Sequence, residues 1–227
     1  MVKKSIYLMA GFSKKHRNST DLLFQAMLKE TNHLHPSVAY IGAASSDNLE
    51  FFTAIKKELQ RNGAGQVDLV PLASEGKHQA AGKLLKTAHL LFFSGGDVEL
   101  GMKILKKRGV INLIKERFER GGVIGGISAG SIILSQQWLR WRNQDDDSTA
   151  ELFDCIGVAP LICDVHDEDG EWQELKLLLR LRHIEGEIGY GIPSVGGLRI
   201  HPTNRIDALG HTLNRLSFHN GRVCSLH

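Results

Sequence analysis

Residues 122–134 read GVIGGISAGSIIL. The first half is an apolar run with a pair of glycines, the pattern of a strand buried on both faces. The second half opens a helix with small residues. Between them Gly126, Ile127, Ser128, Ala129 and Gly130 spell G-x-S-x-G at a strand-to-helix turn. A serine hydroxyl becomes a useful nucleophile only when it is held clear of the sheet, within reach of a base and of anion-stabilising N–H groups. A tight turn does this if the residues two away are tiny, because the chain folds back on itself there. The helix that follows points its first N–H groups toward the same spot. The competing reading is a Gly-rich joint that only packs a helix on the sheet or cradles a phosphate.

Outward from this turn the pattern repeats. Before it come SIYLMAG from Ser5, SVAYIGAAS from Ser37, VDLVPL from Val67 and HLLFFSGGD from His89, each a short apolar run. The intervening segments have helical spacing: DLLFQAMLKETN from Asp21, LEFFTAIKKELQRNG from Leu49 with Asp47 offered as its N-cap, VELGMKILKKRG and VINLIKERFERGG. Apolar strands alternating with amphipathic helices predict an α/β fold with a mostly parallel, doubly wound sheet and helices on both faces. The last third differs. EWQELKLLLRLRHIEGE reads as one helix, and short strands follow, with Asn220-Gly221 marking a C-terminal antiparallel hairpin. These strands are expected to close one edge of the sheet. With no repeat or linker, residues 1–227 read as a single domain.

Composition excludes several classes. The 227 residues are 42% hydrophobic and 23% charged, as in an ordinary folded protein. Lys and Arg number 28 against 25 Asp and Glu, and a net +3 is too mild to argue for nucleic acid or a membrane surface as partner. No apolar run is long enough to span a bilayer. The start, MVKKSIYLMAGFSKK, has too short an apolar stretch for a signal peptide and reads as the first strand. Cys155, Cys163 and Cys224 fit no CxxC spacing and suggest reduced thiols in a cytoplasm. His33 and His35, two apart without a ligand motif, read as a solvated loop and not a metal site.

Open parallel sheets bind ligands outside the carboxyl ends of their strands. Here those ends are AGFS (10–13), GAASSD (42–47), SGGD (94–97) and the serine turn. Gly95 and Gly96 can supply a second oxyanion donor beside the Ala129 N–H. Asp97 has two readings, a site residue or the cap of the next helix. For the base, His166 follows the apolar Leu161-Ile162 and precedes a helix, so it stands at another strand end. Its orienting carboxylate can be Asp145, Asp146 or Asp147, which follow Ser128 by 17 to 19 residues, or Asp164, Asp167 or Asp169 around His166.

GGISAGS, the preceding SGGD, the I-x-D-x-H turn at 162–166 and GYGIPSVGG at 189–197 together resemble the S51 peptidases, which include aspartyl dipeptidases and cyanophycinases. The likeness covers most of the chain from His89 onward. It implies a class I glutamine amidotransferase-like fold and a Ser-His-Asp/Glu triad with neither metal nor cofactor. Carried over, Ser128 matches the nucleophile, His166 the base, and Gly96 and Ala129 the oxyanion donors. The acid falls between serine and histidine, where the Asp145–Asp147 run lies. Three departures stand out: Ser131 where the family has Ala, Asp164-Val165-His166 for D-Q-H, and GIPSVGG for the acidic G-I-D-E-G.

The resulting expectation is a cytoplasmic serine-type exopeptidase acting on peptide or isopeptide bonds in small peptides. Aspartyl specificity is implied by the family alone, with Arg180, Arg140, Arg142 or Arg182 as the partner for a substrate carboxylate. A homodimer is carried as the expected assembly. The alternative is a non-catalytic binding or sensing module on the same fold.

Overall fold

The computed structural model describes residues 3–11, 17–74, 76–143 and 145–226. Phe12 and Ser13, part of the first strand end singled out above, lie outside them.

Five parallel strands form the centre: β1 (Ile6–Met9), β2 (Val38–Ile41), β3 (Val67–Leu69), β4 (Leu90–Phe93) and β5 (Val123–Ile127). With β10 (Gly197–Ile200) and β11 (Ile206–Leu209) they make a seven-stranded sheet, order β11-β10-β1-β5-β4-β2-β3. The last two run antiparallel and close the β1 side. The apolar runs are continuous because both faces are covered. Alternate residues of each strand enter different clusters: Leu8, Ile41, Leu91 and Phe93 on one side, Tyr7, Met9, Tyr40 and Phe92 on the other. α1 (Arg17–Glu30) and α2 (Leu49–Arg61) cover the second side with Leu23, Phe24, Met27, Ile55 and Leu59. α3 (His78–Thr87), α4 (Val98–Arg108), α5 (Ile111–Glu119) and α6 (Ala129–Leu134) cover the first. Burying each such side chain contributes about 1.5–3 kcal/mol, which binds the layers together.

Three local readings change. α3, absent from the sequence reading, is short and puts only Ala81 and Leu85 fully into the core. The N-cap of α2 is Asn48, which accepts from Glu50 N and Phe51 N, both at 3.0 Å. Asp47 instead accepts from Ala73 N at 2.7 Å and fastens the neighbouring loop. The C-terminal strands also divide. β10 and β11 close the main sheet as expected, but the hairpin of β12 (Asn214–His219) and β13 (Arg222–Leu226) joins a second sheet. With β8 (Ile162–Val165) and β9 (Ile188–Ile192) it is ordered β13-β12-β9-β8. The reason is packing. Leu216 and Phe218 face inward against Leu175, Leu178 and Leu179 of α7 (Gln173–Arg182), a third core that the main sheet does not share. Asn220 and Gly221 at its tip have φ 48° and 76°, the left-handed pair of a tight hairpin. β6 (Gln137–Trp141) and β7 (Ala150–Asp154) form a separate two-stranded hairpin. No helix among the described residues is long and apolar enough to cross a membrane.

Ser131 accounts for one departure from the family pattern. Its buried hydroxyl accepts from Met9 N at 2.9 Å and lies 2.8 and 2.9 Å from the carbonyls of Met9 and Gly126. It ties α6 to β1 at the place where the serine turn must be held. Ser131→Ala withdraws the oxygen to which Met9 N–H donates, and should cost about 1–3 kcal/mol. Urea unfolding reads this as a lower midpoint with unchanged slope; an unmoved midpoint would show that the hydroxyl is no tie.

Candidate active site

β5 ends at Ile127 and the chain turns abruptly. Ser128 adopts φ 54° and ψ −126°, and α6 begins at the next residue. Such a backbone is sparsely populated by side-chain-bearing residues and stores strain. It persists because Ser128 N donates to Met9 O at 2.8 Å. The flanking glycines are obligatory. A Cβ at Gly126 would lie 2.5 Å from the Gly130 carbonyl, and one at Gly130 would lie 2.4 Å from Phe93 O. The Ser128 side chain caps nothing in α6. Half-buried at the mouth of the sheet, it is left to meet an imidazole.

That imidazole is His166, at the end of β8. Its φ is 62°, and its backbone N–H donates to Ile192 O at 3.2 Å. Nε2 stands 3.1 Å from Ser128 Oγ. The ring lies flat enough against the end of β1 that a Cβ at Gly11 would come within 3.2 Å of Cε1. Burial lowers the His166 pKa and the nearby Glu168 carboxylate partly offsets this, so the ring is neutral and basic near pH 7.

The end of β4 supplies bare backbone. A Cβ on Gly95 would lie 3.2 Å from Ser128 Cβ, and Gly96 has φ 140° with its Cβ position 2.1 Å from Ala44 O. Only glycine fits at Gly96, in both conformation and space. Ala129 opens α6, so its N–H has no carbonyl partner within the helix. Asp97 accepts from Leu100 N at 2.6 Å; it is the helix cap. Gly11, Gly95, Gly96, Ser128 and His166 all border one cavity of about 540 Å³.

The proposed acids are elsewhere. Asp145, Asp146 and Asp147 sit exposed on the connection between β6 and β7. Asp146 accepts from Ser148 N at 2.9 Å and Asp147 from Trp141 Nε1 at 3.3 Å, and none of the three reaches His166. Turn chemistry holds them, as it holds most Asp runs. The carboxylate that acts on His166 is Glu168. It accepts from the Ser194 backbone N–H and, at 3.2 Å, from the Ser194 hydroxyl. Burial alone would raise its pKa, but the Ser194 donors and His166 outweigh that and hold it below the usual range. Sequence reasoning passed over it while weighing the aspartates on either side. The available signal was its place two residues after the histidine.

The arginines expected to grip a substrate carboxylate are not at the cavity. Arg180 is exposed on α7, whose buried face is Leu175, Leu178 and Leu179. Arg140 and Arg142 pair with Glu151, and Arg182 pairs with Glu187.

Asp164, two residues before His166, points the other way, into the core at 5% exposure. Its Oδ1 accepts from Val165 N at 2.8 Å, while Oδ2 is buried without a partner among the described residues. Burial, with repulsion from Glu174, pushes its pKa up to about 7. An unfolded Asp titrates near about 3.9. Between these values the folded chain keeps a proton that the unfolded chain has released. Stability from this group is therefore full below the lower value and lost as pH rises through the higher one. Asp164→Asn, fixed in the neutral form, should show a smaller fall in Tm than the parent between roughly pH 5 and pH 8; equal falls would mean the folded carboxyl is already ionised.

The model of peptidase family S51 matches residues 6–201. Among solved structures, a peptidase from an acI-B1 Actinobacterium superposes with a TM-score of 0.75 at 18% identity, covering 99% of this chain and 97% of that one. A candidate peptidase E from Listeria monocytogenes EGD-e superposes with a TM-score of 0.66 at 20% identity, over 91% of this chain and 98% of that one. No curated protein matches. The two structures share the fold, and the family match spans well over half the residues: the chain belongs to peptidase family S51.

Proposed function

We propose that this S51 peptidase is a serine-type hydrolase of small peptides, with Ser128 as nucleophile and His166 as general base. The observation that carries the reading is the 3.1 Å contact from His166 Nε2 to the hydroxyl of a strained, half-buried serine. His166 takes the Ser128 proton as Oγ attacks the substrate carbonyl carbon. The N–H groups of Gly96 and Ala129 receive the oxyanion. Collapse breaks the C–N bond, and His166 returns the proton to the departing amine. Water, deprotonated by the same imidazole, then cleaves the acyl-serine. Glu168 acts through His166: its negative charge favours the imidazolium that forms in each half-reaction. Three free cysteines suit a reducing compartment, in keeping with a cytoplasmic enzyme.

A fluorophosphonate probe tests the nucleophile. It should label the parent protein and not Ser128→Ala, and the variant should lose peptide hydrolysis by about 10⁴-fold or more. Equal labelling of both, or of neither, would return the chain to the non-catalytic binding reading.

The acid limb of kcat/KM against pH reports His166. Because burial lowers its pKa, activity should persist below the ordinary histidine value of about 6.5 and disappear as the ring protonates. Glu168→Gln removes a charge that raises the imidazole pKa. The limb should move further toward acid while kcat falls about tenfold. A limb that stays in place would remove Glu168 from the mechanism.

A further inference from the structure

The cavity beside Ser128 has a wall that the catalytic reading does not use. Tyr40 from β2, Phe51, Ala54 and Ile55 from α2, and Ile127 from β5 line it. Phe51, Ala54 and Ile55 recur at the spacing of one helix face, so α2 presents a single apolar stripe over the serine. Phe51, an aromatic ring at the cavity rim, remains 48% exposed. His166 is the one titratable cation among the described lining residues.

The charges nearby have the wrong sign for an acidic substrate side chain. The carboxylates nearest its lining are Asp47, beside Tyr40, and Glu168, beside His166. The arginines considered above are engaged with Glu151 and Glu187 or lie exposed on α7. A carboxylate placed in this cavity would leave water and meet no lining cation other than a protonated His166 among the described residues. An apolar side chain would cover Phe51.

We infer that this cavity is a specificity pocket for a large apolar or aromatic side chain flanking the scissile bond, so that the protein selects apolar peptides over aspartyl ones. The inference rests on the hydrolase reading for its catalytic form. The pocket itself, however, can be tested without turnover.

The experiment uses the full chain and dipeptide amides of the forms Xaa-Gly and Gly-Xaa, with Xaa as Phe, Leu, Asp or Lys. In the parent enzyme, kcat/KM for the better Phe or Leu amide should exceed that for either Asp amide by at least about tenfold. Ala54→Arg changes an exposed helix position and sets a guanidinium in the wall. It should lower the Phe and Leu values by about tenfold or more and raise the Asp value. The same amides are titrated calorimetrically into Ser128→Ala. There the Phe amide should bind more tightly than the Asp amide, and Ala54→Arg added to Ser128→Ala should reverse the order.

If the parent fails to react with fluorophosphonate but this binding order holds, the hydrolase reading falls and the pocket stands. Equal affinities, tighter binding of Asp, or an order that Ala54→Arg leaves untouched would overturn the pocket.

Discussion

One backbone conformation governs the site. Ser128 is held at φ 54° and ψ −126°, a posture that costs on the order of 1–3 kcal/mol and survives only where its surroundings over-determine it. Here they do. Met9 O takes the Ser128 N–H, Ser131 grips Met9 from the next turn of chain, and Gly126 and Gly130 leave no room for alternatives. The strain turns the hydroxyl out of the sheet and the first N–H of α6 toward the same point. His166 also carries a positive φ, 62°, so hydroxyl and imidazole are both aimed by backbone that the rest of the fold holds in place.

Burial raises the pKa of both carboxyls around His166, yet they end on opposite sides of their ordinary values. Asp164 lies on β8, where alternation sends it inward, and it finds one N–H and no cation. Glu168 lies just past the strand, where two donors from Ser194 reach it. The first is held toward its neutral form and the second is fixed as an anion. Only the second can favour a charged imidazole. Proximity in sequence says nothing of this difference; the donors do.

The sequence was informative where the physics is local. Residues 126–130 announce their turn because its steric demands fall within five positions. Continuous apolar runs mark the parallel strands because both faces are buried. His166 was legible as a polar residue at a strand end. The carboxylate beside His166 was not legible, since Glu168 is set by Ser194, and the Asp145–Asp147 run is drawn away by its own turn. The second sheet was hidden because the C-terminal hairpin reads the same whichever sheet it joins, and only the leucines of α7 decide. Phe51, Ala54 and Ile55 look like an ordinary amphipathic stripe until topology lays α2 over the serine.

Ser128 follows a strand of the seven-stranded sheet and His166 a strand of the four-stranded one. The two are joined by the segment that leaves β9 at Ile192 and enters β10 at Gly197. Its Ile192 carbonyl holds the His166 N–H, its Ser194 holds Glu168, and its Gly196 carbonyl accepts from Ala10 N at 3.1 Å. This short strap therefore works as a gauge block between the two sheets, beside the core they share through Cys163, Val165 and Ile192. A shift of an ångström in it would lengthen the 3.1 Å approach of the imidazole to the hydroxyl. The meeting of His166 with Ser128 is thus a matter of register between layers as much as of either residue alone.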